Sequence, residues 1–246
     1  MNVPLWNSVD QFYITTYERS PRIEKLNIEL KKWNIPDSKI TWNIPKKLHC
    51  DNCTIASATK NHIEVYAHAK ENGYANIFVL EDDIIVYDHA KTIPIINEKT
   101  EYFIKNYPNY DILYYGYTPY YIEKILDPDF VKMYGLLQHA YLINEKFYSK
   151  FLNIVDTALL CDLVFIPWRA PIDVAVWSLQ VKYQNSYGVY PQLIYQDNSP
   201  ILKKGNNYST FMKVSTDILT ECVYNADIIT TFLPILILIL IIGKIK

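Results

Sequence analysis

Residues 76–88 of this 246-residue chain read NIFVLEDDIIVYD, with three consecutive acids, Glu81, Asp82 and Asp83, between two apolar, β-prone segments. Three carboxylates held between hydrophobic strands cost electrostatic free energy unless something cationic meets them. A hard divalent ion with oxygen ligands, bridging to a phosphate, meets that need. The chemistry on offer is therefore metal-assisted handling of a phosphate or diphosphate. A solvated acidic turn is the plainer alternative. The apolar runs on both sides, Ile77–Leu80 and Ile84–Val86, argue against it.

The elements that would position these acids can be read from pattern. Gln11–Thr16 reads as a first strand, and a polar turn with Arg19, Pro21 and Arg22 follows it. Pro21 suits the first turn of a helix running to about Trp33. Ile40–Ile44 reads as a second strand. Ser57 can cap a helix that continues to about Asn72, where Gly73 would stop it. The strands 77–81 and 84–87 flank the acids, and a helix is expected over Thr92–Tyr107. Asp111–Tyr115 reads as a buried strand, and the Tyr- and Pro-rich stretch Thr118–Asp129 as a long loop over a site. A strand over Leu136–Ile143, helices over Glu145–Val155 and Ile172–Tyr183, and short strands near Gly188–Tyr190 and Leu193–Tyr195 complete the pattern. Strands alternating with helices predict an α/β fold with a mostly parallel sheet flanked by helices.

Composition narrows the partners. At 50% hydrophobic the chain can bury one substantial core, so residues 1–225 are expected to form one catalytic-size domain. A net charge of −2, without a Lys/Arg cluster interleaved with aromatics, argues against nucleic acid. The 22 Tyr and 5 Trp suit a ring-contacting cleft and an ordinary core equally. The four cysteines, Cys50, Cys53, Cys161 and Cys222, are too few for a disulfide framework, and the lone Cys50–Cys53 CxxC lacks the second pair a zinc site needs. Reduced thiols are the favoured reading. The Asn52 and Asn207 sequons, with no signal peptide ahead of them, read as accidental. The tail, 226–246, contains the apolar run Ile228–Ile242, interrupted by Pro234 and followed by Lys244 and Lys246. It is shorter than the roughly 20 residues of a spanning helix. A short tail anchor, a membrane-surface segment and a terminal element packed on the domain all fit, and membrane association is narrowly preferred. That would put the protein in the cytoplasm or on the cytoplasmic face of a membrane. Ile-, Asn- and Lys-rich usage fits an AT-rich, viral source.

Several ordered motifs resemble glycosyltransferase family 25, the lipopolysaccharide and collagen β-galactosyltransferase group, over most of residues 11–201. YITTYERSPR (13–22) is similar to the family's first strand and arginine-bearing turn, with one residue missing. His62 lies nineteen residues before Glu81, as the histidine of the family's Gly-Cys-x-x-Ser-His helix start precedes its EDD cluster. Ser57, Ala58 and Asn61 depart from that motif. DILYYG (111–116), HAYLINEKF (139–147), APID (170–173) and PQLIYQDNSPI (191–201) resemble further family segments in order.

The resemblance implies a GT-A-type fold that binds a nucleotide-diphospho-sugar at the carboxyl ends of its strands. Glu81 or Asp82, with Asp83, would hold Mn²⁺ or Mg²⁺ against the diphosphate of a UDP-sugar, and Arg19 or Arg22 would add a cation to the nucleotide. His62 would stand on the nucleotide side, although a histidine beside Val65, Tyr66 and Ala69 also suits a packed core. The family inverts, so a hydroxyl of a glycan or a hydroxylated protein side chain would attack the anomeric carbon, with Asp173 as base. Asp173 would equally stabilise the start of its helix. Gln196, Trp168 and Trp177 would line the acceptor side, or serve packing. The function implied is transfer of a hexose, galactose foremost. The altered helix start and the hydrophobic tail keep open a different class, a catalytically degenerate relative that acts as a membrane-associated binding or structural protein. A metal-dependent hydrolase is a third reading.

Overall fold

The computed structural model describes residues 6–16, 22–44, 53–127, 129–152, 176 and 179–196. Its centre is a six-stranded sheet whose inner strand segments, such as Ile77–Leu80, are continuous apolar runs, as expected of strands buried on both faces. The strands are β1 (Gln11–Thr15), β2 (Ile40–Asn43), β3 (Asn76–Glu81), β5 (Ile112–Asp127), β6 (Phe130–Asn144) and β7 (Ser186–Val189), in the order β2-β1-β3-β6-β5-β7. β1 pairs in parallel with β2 and β3, and β5 in parallel with β7; β6 alone runs antiparallel to its neighbours. A second, two-stranded sheet joins β4 (Ile84–Ile85) to β8 (Tyr195–Gln196).

Period-2 alternation divides the strand side chains between two cores. Phe12, Ile14, Phe78, Leu80, Leu113 and Leu142 face α1 (Arg22–Lys31) and α3 (His89–Asn106), which contribute Leu26, Leu30, Ile96 and Phe103. Tyr13, Ile77, Val79, Tyr114, Tyr141 and Ile143 face the other way, onto Val65, Tyr66 and Ala69 of α2 (Cys53–Glu71) and onto Phe147 and Phe151 of the helical stretch 145–152. The sheet is therefore covered on both faces, and the expected α/β architecture with a mostly parallel, helix-flanked sheet is what the chain forms.

Three local expectations are corrected. Residues 118–127 are not a loop: they continue β5, paired along β6 from Thr118↔Leu136 to Asp127↔Phe130. Pro119 is accommodated because the register shifts between Pro119 and Tyr121, and an irregular ladder tolerates a missing N–H. α2 begins at Cys53, so Ser57 lies within the helix rather than capping it. α3 begins at His89, ahead of Thr92; the Lys91 and Thr92 amides both bond the Asp88 carbonyl, and Pro94 sits inside the helix on an exposed face where water can serve the carbonyl it leaves free. Gly73 does end α2, with a φ of +67°. Among the described residues no helix is long and apolar enough to cross a membrane; the tail 226–246 lies outside them.

Candidate active site

β2 reaches β1 by way of α1 on one face, and β3 reaches the opposite side of β1 by way of α2 on the other face. The chain thus changes direction across the sheet between β1 and β3. Open α/β sheets form their ligand crevice outside the carboxyl ends of strands at such a point. Thr15 ends β1 and pairs with Glu81, which ends β3, so the acid cluster emerges there. A pocket of about 180 Å³ opens between them, lined by Thr15, Thr16, Arg22, Ala58, Asn61, His62, Glu81, Asp82 and Asp83. Pockets that engulf drug-sized ligands hold roughly 300–1,000 Å³. The described residues enclose less than that here.

The three acids are held differently. Thr16 Oγ1 donates to Asp82 Oδ2 at 2.5 Å. Arg22, the first residue of α1, places Nη1 3.2 Å from Asp82 Oδ1 and 3.2 Å from Asp83 Oδ2. Gln196 Nε2 donates to Asp83 Oδ2 at 2.9 Å, because Ile84 and Gln196 are partners in the small sheet. Asp83 is 9% exposed, and its Oδ1 is buried with no hydrogen-bond partner among the described residues. Burial, with Glu81 adding repulsion, pushes the Asp83 carboxyl up from 3.8 to about 7 against the opposing pull of Gln196 and Arg22. Glu81 turns to His62, whose Nε2 lies 3.6 Å from Oε1.

His62 is at once a packed residue and a pocket residue. It is 3% exposed, and its Nδ1 lies 2.7 Å from the Tyr141 hydroxyl, which in turn meets the Tyr66 hydroxyl at 2.6 Å. This buried chain locks the ring on which Glu81 rests. Asn61, which departs from the motif, ties the pocket wall together: its Nδ2 donates to the Thr16 carbonyl at 3.0 Å, and its Oδ1 accepts from Asn43 at 2.5 Å.

The structure thus gathers Arg22, His62, Glu81, Asp82, Asp83 and Gln196. Gln196 stands against the acid cluster itself. Arg19, Trp168, Asp173 and Trp177 lie outside the described residues. Thr15 and Thr16 were not singled out from sequence, although their position at the carboxyl end of β1 is the signal that would have found them. Among the described residues no three His, Cys, Asp or Glu side chains converge for a metal ion. The fit is instead to an ion such as Mg²⁺, which takes one or two carboxylates and completes its shell with substrate phosphates and water. Asp82 and Asp83 are the carboxylates that could hold such an ion, and Asp83 Oδ1 is one of the buried acceptors without a hydrogen-bond partner among the described residues.

No family model matches the sequence, and no curated protein is similar to it in sequence. Solved structures do resemble it. A197 from STIV is 14% identical with a TM-score of 0.37, over 72% of this chain and 80% of that one. A glycosyltransferase involved in the glycosylation of the major capsid of PBCV-1 is 10% identical with a TM-score of 0.43, over 85% of this chain and 99% of that one. The apo-form glycosyltransferase GlyE of Streptococcus pneumoniae TIGR4 is 10% identical with a TM-score of 0.47, over 89% of this chain and 64% of that one.

Proposed function

We propose that this protein is a metal-dependent, inverting glycosyltransferase of the GT-A type, akin to family 25, that moves a hexose from a UDP-sugar to a hydroxyl on a glycan or a protein side chain. The observation that carries this reading is the buried Asp83, its Oδ1 without a partner among the described residues, beside an acidic pocket at the switch point of the sheet. A carboxylate kept there at a cost in stability is a functional-site signature.

In this reading Asp82 and Asp83 hold Mn²⁺ or Mg²⁺. Bound there, the ion would neutralise charge on the departing UDP as the sugar–phosphate bond breaks. Thr16 orients Asp82, and Gln196 orients Asp83, so both carboxylates are preset before ligand arrives. His62 holds Glu81 at the pocket wall, where it can accept hydrogen bonds from sugar hydroxyls. The acceptor oxygen attacks the anomeric carbon, the carbon–phosphate-oxygen bond breaks with inversion, and the hydroxyl proton passes to a carboxylate, for which Asp173 is the candidate. Galactose is the favoured sugar. The tail 226–246 would bring the enzyme to the cytoplasmic face of a membrane.

The test is UDP release by the full chain supplied in turn with UDP-galactose, UDP-glucose and the N-acetyl sugars, with and without Mn²⁺. Metal-dependent release from one donor, lost in Asp83→Ala, is expected. Full activity in that variant would sink the metal assignment. The binding-protein alternative draws on one observation, that Arg22 already engages both aspartates; it predicts no turnover with any donor.

A further inference from the structure

We infer that α3 and the β5–β6 turn form a second ligand site, separate from the acid pocket, which takes a neutral sugar ring of a glycan. Neither the metal nor the transfer reaction proposed above is needed for this site. Ile95, Glu98, Lys99 and Tyr102 recur at i, i+3, i+4 and i+7 along α3, so they share one face. That face, with Asp129 and Phe130 of the turn and Leu193 ahead of β8, lines a cavity of about 630 Å³. The Tyr190 amide bonds the Asp129 carbonyl at 2.8 Å, which ties the turn to the segment that carries Leu193. None of these side chains lines the acid pocket, whose volume is about 180 Å³. Of the two, the cavity on α3 falls within the roughly 300–1,000 Å³ of ordinary ligand sites.

Its lining offers two chemistries at once. The Tyr102 ring lies 5.9 Å from Phe130 with 4° between the planes, and Tyr102 is 49% exposed where Phe130 is 1% exposed. Phe130 is fixed in turn against Phe103, 5.0 Å away. The exposed ring is thus a platform backed by the core. The C–H face of a pyranose, weakly positive, suits the negative face of such a ring. Beside the platform stand Glu98, Asp129 and Lys99, whose Nζ pairs with Asp129 and lies 5.6 Å from the Phe130 centroid. Two carboxylates against one ammonium leave the lining net negative, and that ammonium is matched by Asp129. The balance disfavours a phosphate, a sulfated glycan or an anionic membrane surface. A wholly apolar ligand would strip water from the carboxylates without returning hydrogen bonds. A neutral sugar satisfies both: its C–H face covers Tyr102, and its hydroxyls donate to Glu98 and Asp129. A few placed polar groups on an apolar wall fix the orientation of a bound ring.

Ligand-observed saturation-transfer NMR on the full chain, in EDTA and without nucleotide, tests this. The probes are the methyl glycosides of galactose, glucose, mannose, N-acetylglucosamine, fucose and xylose, with lactose and maltose. Wild type should saturate the ring protons of at least one of them, and calorimetry with that sugar then gives its affinity. Tyr102→Ala should weaken binding at least about tenfold and Glu98→Gln at least about threefold, whereas Tyr102→Phe, which keeps the platform, should stay within about threefold of wild type. Because Tyr102 is half exposed, its alanine variant should fold, which circular dichroism verifies. Asp83→Ala should bind the sugar as wild type does. No binding by any sugar of the panel overturns the site, and so does binding that Tyr102→Ala leaves intact. Loss of sugar binding in a folded Asp83→Ala would place the sugar in the acid pocket and overturn it too. Tighter binding of glucose 6-phosphate than of glucose would overturn the assignment to a neutral ring.

Discussion

Asp83 shows how burying one carboxyl can weaken a fold. Its carboxyl is raised to about 7, so the folded protein prefers the neutral form. The sign follows: this group's contribution to stability is fully present below its ordinary 3.8 and is lost as pH rises toward about 7. Above that, the ionised carboxylate stands as a net cost. Asp83→Asn should accordingly stabilise the metal-free protein at pH 8 by about 1–3 kcal/mol, the scale of an uncompensated buried polar group. Urea unfolding in EDTA measures it, and a destabilised variant would mean that Arg22 and Gln196 already compensate the charge. Mn²⁺ affinity should rise with pH up to about 7 and then level off, with proton release on binding; calorimetry in buffers of different ionisation enthalpy reads this. Tyr141 makes the opposite case, a polar group fully served. Tyr141→Phe would leave His62 Nδ1 and the Tyr66 hydroxyl without their shared partner, and should cost about 1–3 kcal/mol in urea unfolding.

Among elements, the hairpin of β5 and β6 carries the consequence least visible from sequence. The segment leading to β8 is hung on it: the Leu193 and Ile194 amides both bond the Tyr115 carbonyl, at 3.2 and 3.1 Å. The next residue, Gly116, is required by that approach, since a Cβ there would stand 2.7 Å from the Ile194 carbonyl oxygen and meet the His139 ring. Ile194 runs directly into β8, whose Gln196 holds Asp83. Gly116→Ala should therefore cost about 1–3 kcal/mol through overpacking and should also weaken Mn²⁺ binding, although the substitution lies on another strand. Melting curves together with Mn²⁺ titration separate the two effects. A stability loss with unaltered metal affinity would uncouple the hairpin from the site.

For the whole molecule, the decisive feature is that β1 and β3 lie side by side while their connections occupy opposite faces. Two cores clamp the sheet, and the carboxyl ends of β1 and β3 meet at the pocket that holds the acids. A ligand that binds only this folded arrangement stabilises it by linkage, about 2.7 kcal/mol at a hundred times its dissociation constant. UDP with Mn²⁺ should thus raise the melting temperature by about 5–10 °C for a domain of this size, and UDP in EDTA by far less. An equal shift in EDTA would show that nucleotide binds without metal.

The acids between apolar runs, the α/β alternation and the Gly73 helix stop were legible in the sequence, because each depends on neighbours within one turn or one strand. The continuation of β5 through 118–127 was not: the Tyr- and Pro-rich composition argues locally for a loop, and only pairing with β6 outweighs it. Nor could the sequence rank the acids. Asp83 becomes the buried one, and Glu81 turns to His62, because β4 pairs with β8, bringing Gln196 across 113 residues, and because α2 lays His62 on β6. Local propensity determined which carboxylates could act; long-range pairing and burial, which no short window contains, decided what each of them touches.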